Sequence, residues 1–328
     1  MQSKQHRFSL TNYALKNLIQ LGGLKARLSI LIYHRVLAKP DPLSPGEDDT
    51  ETFDQQMSWL STYFKIIPLQ EAVQKLRQGK LPPGTACITF DDGYADNAEI
   101  ALPILQKHGI TATFFVSTGF LDGGRMWNDT IIELIRQVPG ATLDLRKMGL
   151  GLLDINTISQ REQTISILLE KLKYLPLKSR ELKIEEMCTY SPAPLPNDLM
   201  MTSKQVKLLH DAGMEIGGHT VNHPILACTE DVMAREEIGN GKEVLESIIR
   251  APVSAFAYPN GKPGQDYLSE HVQMVKELGF KVAVSTSHGA ANTSSDIYQL
   301  PRFGPWDQEK IRFTLRMVQN MLKNTVTI

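Results

Sequence analysis

Short apolar runs alternate with amphipathic helical stretches along this chain, and that alternation limits its fold more than any other feature. Leu28-Ser29-Ile30-Leu31-Ile32-Tyr33 is a near-continuous apolar run, as a strand covered on both faces requires. Further runs near 64–67, 86–90, 112–116, 215–218, 254–258 and 281–285 bring the number of predicted strands to seven. Between them apolar residues recur at helical spacing, as in Phe53, Met57 and Leu60, or Leu69, Ala72, Val73 and Leu76. Later helices carry Ile100, Ile104 and Leu105, then Val206 and Leu209 behind a cap at Ser203, and Ile311, Leu315 and Val318 at the end. Strands alternating with helices predict an α/β fold with a mostly parallel sheet, and seven of them suit a closed or nearly closed barrel. After Gly123-Gly124 the period changes. Residues 122–200 read as a mostly helical insertion, carrying Ile131, Leu134, Ile135, Ile165, Leu168 and Leu172 and ending in the linker Ser191-Pro192-Ala193-Pro194-Leu195-Pro196.

Composition narrows the function classes. Net charge is −1 over 328 residues, so there is no global electrostatic case for a nucleic-acid partner. The three cysteines lie far apart without a CxxC pair, which speaks against a disulfide framework and for a reducing compartment. Residues 1–40 hold Lys4, Arg7, Lys16, Lys25, Arg27, Arg35 and Lys39 and no acid. Residues 1–27 therefore read as a basic amphipathic N-terminal segment before a barrel over 28–328. That segment is either a surface helix or a peripheral contact with an anionic membrane surface. Its apolar residues are too broken up by Lys16, Asn17 and Gln20 for a clean export signal, so the expected location is cytoplasmic, at the inner membrane surface if the segment binds there. Oligomeric state is not readable from the sequence.

In parallel barrels the chemistry sits at the carboxyl ends of the strands. There the chain places His34, then Asp91 and Asp92, then His219 and His223, then Pro259-Asn260-Gly261, then His288. An Asp-Asp-Gly turn alone is commonly a solvated turn, and one H-x-x-x-H is weak. Their convergence at strand ends is what points to a site. Two imidazoles four residues apart with one carboxylate make a facial set with open positions, suited to a catalytic divalent metal. With side chains alternating along a strand, one aspartate can bind the cation while its neighbour stays free as a base.

Thr89-Phe90-Asp91-Asp92-Gly93-Tyr94, His219-Thr220-Val221-Asn222-His223 and Phe256-Ala257-Tyr258-Pro259-Asn260-Gly261, in that order, resemble the polysaccharide deacetylase family with the NodB homology domain. The likeness covers about 28–120 and 200–305. It implies a distorted (β/α)7 barrel and a metal-dependent carbohydrate N-deacetylase acting on N-acetylated amino sugars of a bacterial polysaccharide or its precursor. Carried over, it makes Asp91 the general base and Asp92, His219 and His223 the ligands of one divalent ion. Zinc is the first expectation for that ion, with cobalt, manganese, iron and nickel tolerated by such ligands. The backbone N–H of Asn260 becomes the oxyanion donor. Two departures matter. The family's third motif carries an arginine that orients the base, where this chain has Ala257; Arg302 in Leu300-Pro301-Arg302-Phe303 is the candidate substitute, against an ordinary surface ion pair. The late Leu-x-His motif that supplies the acid is poorly matched by Ser287-His288. Tyr33-His34-Arg35-Val36 instead resembles the start of the branch that deacetylates exopolysaccharides of the poly-N-acetylglucosamine type, which makes His34 the expected general acid and His288 the alternative. Trp127 and Trp306 are candidates for stacking on a sugar, with plain packing as the simpler expectation. Two other functions stay open: hydrolysis of a non-sugar amide, and non-catalytic glycan binding.

Overall fold

The computed structural model describes residues 26–304 and 306–323. The basic N-terminal segment therefore lies outside the described residues but for its last two positions. Strand β1 (Ser29–Tyr33) pairs in parallel with β5 (Thr85–Phe90) along its whole length. The other edge of β5 is shared by the short β4 (Lys65–Ile66) at its start and β6 (Thr113–Val116) at its end. From there the sheet continues in parallel through β9 (Glu215–Gly218), β10 (Ala255–Ala257) and β11 (Val282–Val284). All seven expected strands are present, and their number and direction make the α/β, (β/α)7-like barrel that the sequence predicts. Two short strands, β2 (Val36–Leu37) and β3 (Asp48–Asp49), which pair with each other, and one further extended segment were not foreseen. Residues 297–303 bond to β11 through Leu300 and to β1 through Phe303, and so bridge the last strand of the sheet to the first.

Period-two alternation divides the strands between two apolar layers. Leu31, Tyr33, Ile88 and Phe90 join the outer layer with Phe53, Met57 and Leu60 of helix α1 (Thr50–Tyr63). Ile30, Cys87, Phe115, Ala257 and Val284 form an inner layer, into which α2 (Leu69–Arg77) inserts Leu69, Ala72, Val73 and Leu76. The barrel interior is thus filled from the amino ends of the strands, and a cleft opens at their carboxyl ends.

The insertion consists of α4 (Trp127–Gln137), β7 (Thr142–Leu145), β8 (Gly151–Asp154), α5 (Ile158–Lys173) and α6 (Leu177–Cys188), the intervening α3 being Leu102–Lys107. Most of its regular structure is helical, as expected, but β7 and β8 form an antiparallel hairpin that the sequence reading missed. The signal was there: in Thr142-Leu143-Asp144-Leu145 the leucines are buried and their neighbours exposed. The insertion has its own core of Ile131, Leu134, Ile135, Leu143, Leu145, Leu168 and Leu172.

Two local expectations are corrected. The cap of α7 (Ser203–Asp211) is Thr202, whose hydroxyl accepts from the Gln205 N–H while the Gln205 side chain accepts from the Thr202 N–H; the glutamine three residues on decides between two adjacent hydroxyls. After α8 (Asp231–Ile249) and α9 (Ser269–Glu277), helix α10 (Lys310–Leu322) buries Phe313, Met317 and Met321, and leaves Ile311 and Leu315 exposed. Val318 is buried as expected, and the buried face runs through Phe313, Met317 and Met321. No helix of the described residues is long and apolar enough to cross a membrane.

Candidate active site

Asp91 follows Cys87 and Thr89 at period two and so belongs to the inner face of β5; Asp92 by the same count would point outward with Ile88 and Phe90. The backbone prevents this. Asp92 has φ 77° and Gly93 φ 93°, so the strand breaks off in left-handed conformation and both carboxylates end in the cleft. A side chain at Gly93 would also meet Val116 Cγ1 at 2.9 Å. His223 (φ 51°) and Asn260 (φ 58°) are held in the same costly region. Such outliers persist where packing over-determines them, and they gather at functional sites.

The paired aspartates have different partners. Arg302, fully buried, grips Asp91 with both ends of its guanidinium, Nη1 to Oδ1 at 2.6 Å and Nη2 to Oδ2 at 2.7 Å. Its Nη1 also donates to Thr89 Oγ1 and its Nε to the Ser285 carbonyl. The arginine thus comes from the segment that bridges β11 and β1. Burial pushes the Asp91 carboxyl upward, but the charges of Arg302, His219 and His34 outweigh it and hold it below the usual carboxylate range. Asp92 faces two imidazoles instead: its Oδ1 lies 3.4 Å from Nε2 of His219 and 3.4 Å from Nε2 of His223. Asp91 Oδ2 stands 4.0 Å from the same His219 nitrogen.

These residues fit a divalent cation. One ligand atom from each of Asp92, His219 and His223 lies within 4.8 Å of the other two, all three residues being buried. Two atoms bound to one zinc at about 2.1 Å and a tetrahedral angle are about 3.4 Å apart, which is the spacing of the Asp92 oxygen from either nitrogen. His219 Nδ1–H donates to the Ala257 carbonyl at 2.7 Å, which turns Nε2 toward Asp92. Burial lowers the His223 pKa to about 3 despite Asp92, keeping that imidazole in the neutral form a metal needs. For His219 burial also pushes downward, but the carboxylates of Asp91 and Asp92 carry it above its ordinary value.

The histidine turn is supported by residues that the sequence reading did not single out. Glu237 of α8, buried, accepts from the Val221 and Asn222 N–H groups through Oε2 and from the Asn222 amide through Oε1. Thr220 Oγ1 accepts from the His223 N–H. A Cβ at Gly241 would come within 2.9 Å of the Thr220 carbonyl, so only glycine lets α8 approach this closely. Neither Glu237 nor Gly241 has a local sequence signature, because each acts across a helix–loop contact.

His34 follows the Tyr33–Phe90 pair of β1 and β5, as Asp91 does, which sets the two side by side. His34 is half-buried and lines the cleft, and its carbonyl accepts from Asn97 Nδ2. Asn260 lines the same cleft; Thr286 Oγ1 donates to its carbonyl, and no acceptor takes its N–H among the described residues. His288 is exposed and outside the lining residues. Trp127 packs on the insertion core beneath Arg180 and also lines the cleft. The cleft measures about 470 Å³, and the insertion contributes one wall through Met126, Trp127, Asn128, Leu169 and Lys173. A larger hollow of about 640 Å³, between α2 and Lys281-Val282, lies at the amino ends of the strands and holds none of these groups.

Comparison with known proteins agrees with this geometry. The polysaccharide deacetylase family model matches residues 78–167 and 181–283, more than half of the chain. YxkH of Bacillus subtilis is 22% identical over 279 residues, spanning 84% of this chain and 71% of that protein. The poly-beta-1,6-N-acetyl-D-glucosamine N-deacetylase of Staphylococcus aureus is 38% identical over 68 residues, which are 20% of this chain and 23% of that one. In fold the chain is similar to the Streptococcus pyogenes deacetylase PplD, solved in complex with acetate, with a TM-score of 0.60, 21% identity, and coverage of 90% of this chain and 99% of that one. The chain belongs to the polysaccharide deacetylase family, hydrolases that cleave N-acetyl amide bonds.

Proposed function

We propose that this chain is a metal-dependent N-deacetylase of amino sugars in a bacterial polysaccharide or its precursor, nearest in kind to the exopolysaccharide branch. The observation that carries the reading is the division of the paired aspartates: Arg302 clamps Asp91, while Asp92 faces only imidazoles. Asp92, His219 and His223 would hold one divalent ion, with zinc first in expectation. When bound, such an ion polarises the acetyl carbonyl and acidifies water.

The rest falls to side chains and backbone of this chain. Asp91, fixed beside the triad by Arg302, takes a proton from the water that adds to the acetyl carbon. Asn260 lines the cleft with its N–H free of any acceptor among the described residues, and that N–H donates to the oxygen on which negative charge develops. His34, which lines the same cleft, gives a proton to the sugar nitrogen as the carbon–nitrogen bond breaks. Acetate and a free amine leave, so one water is consumed and the protons balance between Asp91 and His34. Arg302 touches neither substrate nor ion in this scheme; it keeps Asp91 ionised and aimed.

The test is acetate release from N-acetylglucosamine oligomers by protein loaded with Zn²⁺, Co²⁺ or Mn²⁺. Asp91→Asn should abolish release while calorimetry still detects one bound metal per chain. Release that survives Asp91→Asn overturns the assignment, and activity confined to small non-sugar amides overturns the substrate class.

A further inference from the structure

A second cleft of about 220 Å³ opens beside the catalytic one, and Ile32, His34 and Glu47 line both. The two are therefore continuous across His34. The outer wall of the second cleft is Trp306, the indole of which is 62% exposed. Leaving so much aromatic surface in water is unfavourable, yet the ring is held in place. The Arg316 guanidinium lies 4.0 Å from its centroid, and Arg316 is itself ion-paired with Asp307 through Nε and Nη2. With one face on the guanidinium, the exposed area belongs to the other face and the edges.

Two acidic side chains line the same cleft. Glu47 Oε2 accepts from the Arg35 N–H, and Oε1 has no partner among the described residues. Asp48 Oδ1 accepts from Gln56 Nε2 at 3.3 Å. The guanidinium of Arg35, which also lines this cleft, is turned away to Asp96. A braced aromatic plane together with carboxylate oxygens matches a pyranose ring: its C–H face lies on the indole and its hydroxyls donate to the acids.

We propose that this cleft is a subsite for the sugar unit adjoining the one that is deacetylated, with Trp306 as its stacking platform. The inference rests on the N-deacetylase reading and sharpens it. The substrate is a chain of at least two units, and binding energy gathered at Trp306 helps to seat the neighbouring acetamide.

The experiment compares wild type, Trp306→Ala and Trp306→Phe on an N-acetylglucosamine pentamer and on the monosaccharide, at equal metal loading. Calorimetry of the pentamer on the Asp91→Asn chain, with and without Trp306→Ala, runs alongside. Trp306→Ala should lower the pentamer-to-monosaccharide ratio of kcat/KM about tenfold, mostly through KM, and Trp306→Phe should restore part of it. The exposed Val232→Ala, remote from both clefts, serves as control. An unchanged ratio in Trp306→Ala overturns the subsite, as does an equal loss on both substrates. No acetate release by wild type, with pentamer binding that still depends on Trp306, overturns the catalytic reading and leaves the subsite standing.

Discussion

Removal of Arg302 tests the centre of the site. Arg302 is fully buried and makes two short bonds to Asp91, itself buried. Arg302→Met leaves that carboxylate without its cation, and losing one partner of a buried pair costs about 3–5 kcal/mol. Against a total stability of about 5–15 kcal/mol the variant should still fold. The sign with pH is the sharper prediction. In the wild type Asp91 lies below its unfolded value, so it adds stability above about pH 4 that is lost only as pH falls through the lower folded value. Without Arg302 burial dominates and the folded value rises above about 4, so the contribution reverses and stability now falls as pH increases. The deficit of Arg302→Met should therefore be smaller at pH 4 than at pH 8 in urea unfolding. Adding Asp91→Asn removes the stranded charge, and the double variant should be about 2–3 kcal/mol more stable than the two single effects predict. Kinetically, Arg302→Lys keeps the charge but loses the fork, so kcat should fall up to about 100-fold. In Arg302→Met the acid limb of kcat/KM should move to higher pH, because the base is no longer held ionised. Additivity of the double variant within about 0.5 kcal/mol, or an unmoved acid limb, would refute the pairing as the reason Asp91 is ready to accept a proton.

Three further outcomes are expected. Glu237→Gln should weaken zinc affinity about 10–100-fold by calorimetry, since the turn that carries His219 and His223 loses its charged acceptor. Gly241→Ala should gain about 1 kcal/mol of helix propensity yet lose metal affinity, because its Cβ presses on the Thr220 carbonyl; affinity equal to wild type would show that the turn yields freely. Burial pushes Asp48 up to about 7, so its native form holds a proton that the unfolded chain releases near pH 4. The contribution of Asp48 to stability therefore declines from pH 4 to pH 7, and Asp48→Asn should match wild type at pH 4 and exceed it at pH 8 by thermal melting.

Much of the fold was legible because its signals are local. A strand buried on both faces must be apolar throughout, and a helix on such a sheet must repeat its apolar residues near every third or fourth position. Those constraints mark each of the seven strands. The hairpin Thr142–Leu145 with Gly151–Asp154 was missed because its four-residue alternation lies between strongly helical patterns. The cap at Thr202 turned on a single side chain, the glutamine at 205, and α10 offered two apolar stripes, of which Phe313, Met317 and Met321 with Val318 meet the core.

The sequence by itself determined which chemistry stands at the strand ends, since Asp91-Asp92 and His219 close predicted strands and His223 lies four residues beyond His219. It did not determine how these groups are shared out. Only the tertiary structure brings Arg302 onto Asp91 across 211 residues, lays Glu237 beneath the histidine turn, and sets Trp306 beside a cleft continuous with His34. The physical reason is that a strand end is specified by its own few residues. An ion pair across the barrel depends instead on the register of segments remote in the chain, and that register leaves no periodic trace in the sequence around either partner.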